Sequence, residues 1–162
     1  MLDILMSIHQ DWIVKMASGE KTDELRKTWP KNIPTPFRVR LYCTRGRGPE
    51  TLLLDGKGFV VGEFICPGRT IVKYPSDEEG FWWPHMAEIS RTTCLSVEEI
   101  CSYIGMGGTG SAWHVRDLKI YDKPMELDRF FMPAEHDGEW LCRVERAPQS
   151  WCYIEQIVKE VG

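Results

Sequence analysis

Apolar and polar positions follow two different periods along the chain, which predicts a mixture of strands and helices. Residues 2–8 form an apolar run with the length of a short strand. From residue 9 to 18 the apolar side chains Trp12, Ile13, Met16 and Ala17 recur at helical spacing. Gly19 follows, where a helix commonly ends in the left-handed region. We therefore predict a strand, then a helix that stops at Ser18.

The segment after this helix is predicted to be extended. Residues 20–27 have helical propensity, but Gly19 precedes them and Pro30 follows soon after. In a strand, alternate side chains point to opposite faces. Extension therefore places Thr22, Glu24 and Arg26 on one side, with Lys21 at the start of the strand, where its long stem can swing round to join them.

Further elements follow downstream. Alternating or β-branched segments predict strands over 37–44, 59–66, 112–121 and 149–157, and Gly62 inside the second indicates a bulge or a close approach. The capping box Ser96-Val-Glu-Glu99 predicts a helix to about residue 104. We expect one helical turn within 124–130 and an irregular insertion over 67–94. The sum is an α+β chain with about five to seven strands and two or more helices, in a mixed sheet or small barrel.

Composition sets the class of protein. The chain has 162 residues, 43% of them apolar and 27% charged, which is typical of one globular domain. Its aliphatic runs are too short for a membrane-spanning helix, and the N-terminus lacks the pattern of a secretory signal. Six cysteines are scattered without a Cys-x-x-Cys pair. We expect a reduced, cytoplasmic protein with no membrane contact.

Charge is unevenly distributed. The net charge is −4, yet residues 19–47 contain eight Lys or Arg against three acids, and residues 75–100 contain six acids against one Arg. A local basic segment can bind an anion, although a solvated charged face explains the same counts.

The densest polar cluster is the segment Gly19-Glu-Lys21-Thr-Asp-Glu24-Leu-Arg26. Two cations and one carboxylate that converge on a pocket could bind a phosphate or the polar edge of a base. The carboxylate could also orient Lys21. The alternative is an array of surface ion pairs, which would contribute little.

This Gly-x-Lys-x-x-Glu-x-Arg pattern, directly after an N-terminal strand and helix, resembles the ASCH family of PUA-like domains. Val60-Val-Gly-Glu63-Phe is similar to the central strand of that family, and residues 112–124 to a later strand and its turn. Residues 148–153 resemble the final strand of phage- and prophage-type members. The resemblance implies one PUA-like domain over residues 1–162, a small mixed β-barrel with helices at its ends and insertions near 67–90 and 132–146.

The resemblance also implies a cleft that binds RNA or another nucleic acid, lined by Lys21, Glu24 and Arg26. Some small bacterial members are amidohydrolases that act on acetylated cytidine, with a Lys, a Thr three residues later and a distant Glu. Here Lys21 is present, position 24 is Glu, and Glu88 is the nearest candidate for the distant Glu. If the chain is an enzyme, Lys21 and Glu24 are its expected catalytic pair, with Glu24 as a base on water.

Other residues on the matching strands complete the candidate set. We expect ligand binding to involve these further residues: Glu63, Trp113, His114, Ser150 and Trp151. For the tryptophans, as for the aromatic run at 81–83, packing in the core is the alternative. The glycines at 105–110 lack the context of a phosphate loop, and the four histidines lack metal-ligand spacing, so we expect neither a metal nor a cofactor.

Three functions follow as hypotheses. The first is binding of RNA, another single-stranded nucleic acid or a nucleotide-like small molecule. The second is an amidohydrolase on an acylated nucleoside. The third is a phage protein that binds a host protein or a signalling nucleotide, suggested by the acidic and aromatic segment at 75–90. Because the net charge is negative, a short single strand, a structured site or a single nucleotide is favoured over long nonspecific contacts.

Overall fold

The computed structural model describes residues 1–45, 56–77, 83–133 and 142–156. Their strands are β1 (Leu2–Ile8), β2 (Asp23–Arg26), β3 (Phe37–Cys43), β4 (Val60–Cys66), β5 (Arg69–Lys73), β6 (Thr109–His114), β7 (Arg116–Met125) and β8 (Trp151–Glu155). Their helices are α1 (Gln10–Ala17), α2 (Trp83–Thr93) and α3 (Val97–Ile104), with one 3₁₀ turn at Leu127–Arg129.

These strands form two sheets. The larger has the order β7-β4-β3-β1-β8 and the smaller the order β2-β6-β5. Strand β1 pairs with β3 in parallel, and every other pairing is antiparallel. The α+β class is confirmed. The expected single barrel is not, because the described strands are divided between two sheets, and they number eight where five to seven were predicted.

The helix predictions near the N-terminus and in the middle of the chain are confirmed. His9 caps α1, with its ring nitrogen accepting from the backbone N–H of Asp11, and Gly19 has a φ of +81° after the helix. Ser96 and Glu99 form both bonds of the capping box at the start of α3. Each cap satisfies backbone donors that the first turn of a helix leaves free.

The prediction of an irregular insertion over residues 67–94 is wrong. This segment contains β5, which pairs with β6, and most of it after residue 82 is α2. Strand β5 was not predicted from the sequence. It lies at the edge of the small sheet with only Val72 buried, so its sequence shows little alternation of apolar and polar residues. Helix α2 was not predicted because Pro84 indicated irregular structure, although proline is tolerated in the first helical turn.

The single strand predicted over residues 112–121 is two strands. Strand β6 ends at His114 in the small sheet, and β7 begins at Arg116 in the large one. Asp117 has a φ of +50° beside this change of sheet. Residues 134–141, much of the second predicted insertion, lie outside the described residues, as does residue 157 at the end of the predicted closing strand.

Two apolar clusters hold the sheets to the helices. The first lies between the large sheet, α1 and part of the small sheet, and includes Ile13, Phe64 and Trp113. The second lies between the small sheet and helices α2 and α3, and includes Val72 and Ile100. Because β2 and most of β6 are covered on both faces, the polar side chains of Asp23, Glu24 and Ser111 lie at buried positions.

Candidate ligand-binding site

A pocket of about 330 Å³ opens where the parallel strands β1 and β3 end. Its lining comes from the ends of these strands, from α1, β2 and α3, and from the chain before β8: Ser7, Ile8, His9, Trp12, Lys21, Glu24, Leu25, Arg26, Thr44, Leu95, Glu99, Tyr103 and Gln149. Elements that are distant in sequence thus meet at one concave surface, which is where ligands commonly bind.

Lys21 lies at the floor of this pocket. Its side chain is only 2% exposed, and Nζ lies 3.0 Å from Glu24 Oε2. Nζ also donates to the carbonyl oxygen of Thr93 at 2.7 Å and lies 5.0 Å from the ring of Trp12. A buried ammonium needs partners to replace its lost hydration, and these groups supply them.

Glu24 is shared between two cations. Its Oε1 lies 3.0 Å from Arg26 Nη2, while Oε2 faces Lys21. Arg26 also donates from Nη2 to the carbonyl oxygen of Ser7 at 2.7 Å, and from Nη1 to Ser150 Oγ at 3.3 Å. The structure therefore brings Lys21, Glu24, Arg26 and Ser150 together, and we call these four residues the floor cluster; Ser150 joins it through its bond to Arg26 and does not itself line the pocket.

The floor cluster has more donors than acceptors. An ammonium carries three N–H groups and a guanidinium five. The bonds described above occupy only some of them, and the buried Nε of Arg26 has no hydrogen-bond partner among the described residues. A cluster of this kind suits a ligand rich in hydrogen-bond acceptors, such as a carbonyl group or a phosphate.

Two aromatic side chains form part of the wall, and each has a lysine outside the floor against its ring; the ring of Trp12 also contacts Lys21. Lys15 Nζ lies 5.3 Å from the ring of Trp12, and Lys27 Nζ lies 5.1 Å from the ring of Tyr103. Trp12 comes from α1 and Tyr103 from α3, so the two rings reach the pocket from different helices. Neither ring was a sequence candidate, because helical periodicity assigned Trp12 to an apolar face and said nothing of Tyr103.

Glu63 lies elsewhere in the molecule. It is on β4, where it pairs with Arg40 and accepts a hydrogen bond from the Tyr121 hydroxyl. Burial and the hydrogen bond to Glu63 raise the pKa of Tyr121 above its usual range. The pocket lining does not include Glu63, so the structure does not bring this candidate to the floor cluster.

Trp113 and Trp151 form part of an aromatic cluster in the core. Trp113 is fully buried, and its ring centroid lies 5.7 Å from that of Trp151 and 5.0 Å from that of Trp29. Both indoles donate to Thr28, Trp113 to its carbonyl oxygen and Trp151 to its hydroxyl. These contacts match the packing alternative for the two residues, and neither side chain lines the pocket.

His114 points to the opposite face of the small sheet. It pairs across the strands with Asp23, whereas Trp113 pairs with Glu24. Its Nδ1 lies 2.8 Å from Asp23 Oδ1, and its Nε2 lies 3.5 Å from Thr70 Oγ1. Since successive side chains alternate along a strand, His114 cannot share a surface with Glu24.

Other sequence candidates for chemistry are also separate from the pocket. Glu88 is exposed on α2 and pairs with Arg91, whose hydrogen bonds lower the pKa of this carboxyl. The described ranges contain no group of three His, Cys, Asp or Glu side chains that could hold a metal ion. No helix in those ranges is long and apolar enough to cross a membrane.

Comparison with known proteins gives a likeness of fold. No protein-family model and no curated protein matches the sequence. Among solved structures, the ASCH protein of Zymomonas mobilis superposes with a TM-score of 0.63 at 18% identity, over 95% of this chain and 88% of that one. A serine-to-alanine variant of that protein superposes with a TM-score of 0.63 at 17% identity, over 95% of this chain and 89% of the variant. A tyrosine-to-phenylalanine variant superposes with a TM-score of 0.60 at 18% identity, over 95% of this chain and 91% of the variant.

At this level of identity the comparison establishes architecture. It extends over nearly all of the chain, including both sheets. The chain therefore has the fold of the ASCH proteins, in agreement with the family that the motif at residues 19–26 indicated.

Proposed function

We propose that the protein binds a nucleoside-sized unit, either a single nucleotide or one base of a short RNA or other single strand, in the pocket above the floor cluster. The observation that carries this proposal is the convergence of Lys21, Glu24 and Arg26 at the base of one concavity. A base presents carbonyl oxygens and ring nitrogens at its edge, and these acceptors complement the N–H donors of the floor cluster.

The size of the pocket favours a small ligand. Ligand pockets range over roughly 300–1,000 Å³, and this pocket lies at the small end of that range. A protein that depends on long contacts with a phosphate backbone usually has a basic balance, whereas this chain has a net charge of −4. Both facts support recognition of one unit over recognition of an extended strand.

The walls support a planar ligand. Trp12 and Tyr103 both line the pocket, and base–aromatic stacking contributes about 1–3 kcal/mol per base. Tyr103 is partly exposed, so its ring is available at the open side of the pocket. A base edge directed at Arg26 and a base face against an aromatic ring would fix the orientation of the ligand.

Hydrolysis of an acylated nucleoside is the second candidate for the same pocket. The observation that favours it is the 3.0 Å contact between Lys21 and Glu24, a pairing that could orient a water molecule and stabilise a developing negative charge. However, both oxygens of Glu24 already accept a charged partner, which leaves neither one dedicated to activating water. Binding without turnover therefore agrees better with the geometry.

Fluorescence anisotropy with short labelled RNA and DNA, together with calorimetric titration of single nucleosides and nucleotides, tests the proposal. The informative variant is Tyr103→Ala, with Met106→Ala as its control, because Met106 is exposed just beyond α3 and does not line the pocket. We expect Tyr103→Ala to weaken binding about tenfold or more, and Met106→Ala to bind as the natural protein does.

Two results would overturn the proposal. One is the absence of binding by any nucleoside, nucleotide or oligonucleotide. The other is equal affinity in the Tyr103 and Met106 variants. Chromatography of acylated nucleosides incubated with the protein tests the hydrolase alternative, since a free acid and a deacylated nucleoside would have to appear together.

A further inference from the structure

The two lysines on the aromatic walls occupy a distinctive place around the pocket. Lys15 follows Trp12 by one turn of α1, and Lys27 follows the last residue of β2. Neither lines the pocket itself, yet each ammonium lies against a ring that does. The lysines therefore flank the pocket from different elements, outside the floor cluster.

Charge is distributed differently at the floor and around the walls. At the floor, Glu24 lies between the cations of Lys21 and Arg26. Glu99, one turn before Tyr103 on α3, adds a carboxylate to the lining on the wall side. Around the walls, Lys15 and Lys27 lie against neutral rings. Among the described residues neither wall lysine forms an ion pair, whereas both floor cations pair with Glu24, so the wall ammonium groups keep their charge available to an anionic group on a ligand.

The contacts of these lysines are weak enough to exchange. A cation against an aromatic ring at an exposed site is held much less firmly than a buried ion pair. Lys27 is exposed and Lys15 is half-buried, in contrast to Lys21 beside them. Each wall lysine can leave its ring when a base stacks there, and its long stem keeps the ammonium close to the pocket.

From this arrangement we propose that Lys15 and Lys27 form a phosphate subsite, so that the ligand is a phosphorylated nucleoside held by its base at the floor and by its phosphate at the walls. This inference rests on the proposed function. The phosphate has two sources, the monoester of a free nucleotide or the diester beside one base of a strand, and both present the same anionic oxygens to the lysines.

The test is calorimetric titration of matched pairs, each nucleoside beside its 5′- and 3′-monophosphate. We expect the better monophosphate to bind about tenfold or more tightly than its nucleoside. The variant Lys15→Gln/Lys27→Gln should remove this difference. The control Lys73→Gln/Lys123→Gln makes the same change in net charge at exposed sites that do not line the pocket, and it should retain the difference.

A short RNA separates the two sources. If a trinucleotide binds more tightly than the monophosphate, and the dependence of log K on log salt becomes shallower by about one to two in the Lys15/Lys27 variant, the subsite binds a diester. If the monophosphate accounts for all of the affinity, the subsite binds a free nucleotide. Either result supports the proposal.

The failures of the two proposals are distinct. Equal binding of nucleoside and monophosphate, or an unchanged preference in the Lys15/Lys27 variant, overturns the phosphate subsite and leaves the pocket's proposed function standing. Absence of binding by nucleosides, monophosphates and RNA alike overturns both.

Discussion

Arg26 donates a hydrogen bond from Nη1 to the hydroxyl of Ser150, which lies 124 positions further along the chain. The same guanidinium pairs with Glu24 and donates to the carbonyl oxygen of Ser7. One side chain of β2 thus joins the small sheet to the end of β1 and to the chain before β8. The pocket is held in shape by the bonds of its own floor.

Ser150→Ala is expected to loosen this connection at modest cost. Loss of one hydrogen bond to a charged donor at a half-buried site should lower the free energy of unfolding by about 0.5–2 kcal/mol. Urea denaturation measures the change, and Ser102→Ala, on the exposed side of α3, is the control with an expected change within about 0.5 kcal/mol. Equal stability of the two variants would show that the bond contributes nothing.

Removal of Glu24 is expected to be more damaging than removal of Lys21. Glu24→Gln leaves the buried ammonium of Lys21 and the largely buried guanidinium of Arg26 without their shared counter-charge, and should cost about 3–5 kcal/mol. Lys21→Met leaves Glu24 paired with Arg26 and orphans the buried carbonyl of Thr93, so about 1–3 kcal/mol is expected.

Urea denaturation of both single variants and the double variant tests this order. In the double variant Arg26 is the one cation left in the floor cluster, so the free energy of unfolding should fall by less than the sum of the two single losses. A Lys21→Met protein less stable than Glu24→Gln would contradict the shared-carboxylate description.

Part of this site was predictable from local pattern. Gly19 and Pro30 mark the two limits of an extended segment, and the alternation of side chains along a strand is enough to place Glu24 and Arg26 on one face of it. The burial of Lys21 was not predictable, because Nζ donates to the backbone carbonyl oxygen of Thr93, and every residue has such a carbonyl whatever its side chain.

The position of His114 depends on strand register. It faces away from Glu24 because β2 and β6 pair with Asp23 opposite His114, and neither strand's own sequence encodes that alignment across 91 positions. The same applies to Glu63, since the neighbouring Arg40 and Tyr121 that engage it come from two other strands. The pairing of strands distant in sequence, more than local secondary-structure propensity, therefore determines which candidate site residues lie together.

Stability is expected to fall at alkaline pH because the surrounding protein shields the thiols of Cys66 and Cys152 from water. Burial raises the pKa of Cys66 and of Cys152 from 9.0 to about 11. Well below pH 9 these thiols are protonated in both folded and unfolded chains, so their contribution to the free energy of unfolding is fully present. Between about pH 9 and 11 the unfolded thiols ionise first, which favours unfolding.

Urea denaturation at pH 8 and near pH 10 measures this loss, and Cys66→Ala/Cys152→Ala should show a shallower pH dependence than the natural protein. A thiol-specific reagent gives an independent check, because the exposed Cys142 should react well before Cys66 in the folded protein. Identical pH dependence in the natural protein and the double variant would refute the assignment.

Gly62 is expected to tolerate no side chain. A Cβ at this position would lie 2.5 Å from the backbone carbonyl oxygen of Lys119, where the register of β4 against β7 shifts. Because the obstacle is backbone, Gly62→Ala must separate the strands, and a loss of about 1–3 kcal/mol in the free energy of unfolding is expected. Gly68→Ala is the matched control, since its nearest neighbour would be 3.9 Å away, at the ring of His114. We expect that variant to retain or slightly gain stability through a less flexible unfolded chain. Equal denaturation midpoints for the two variants would mean that β4 and β7 do not approach as closely as the structure describes.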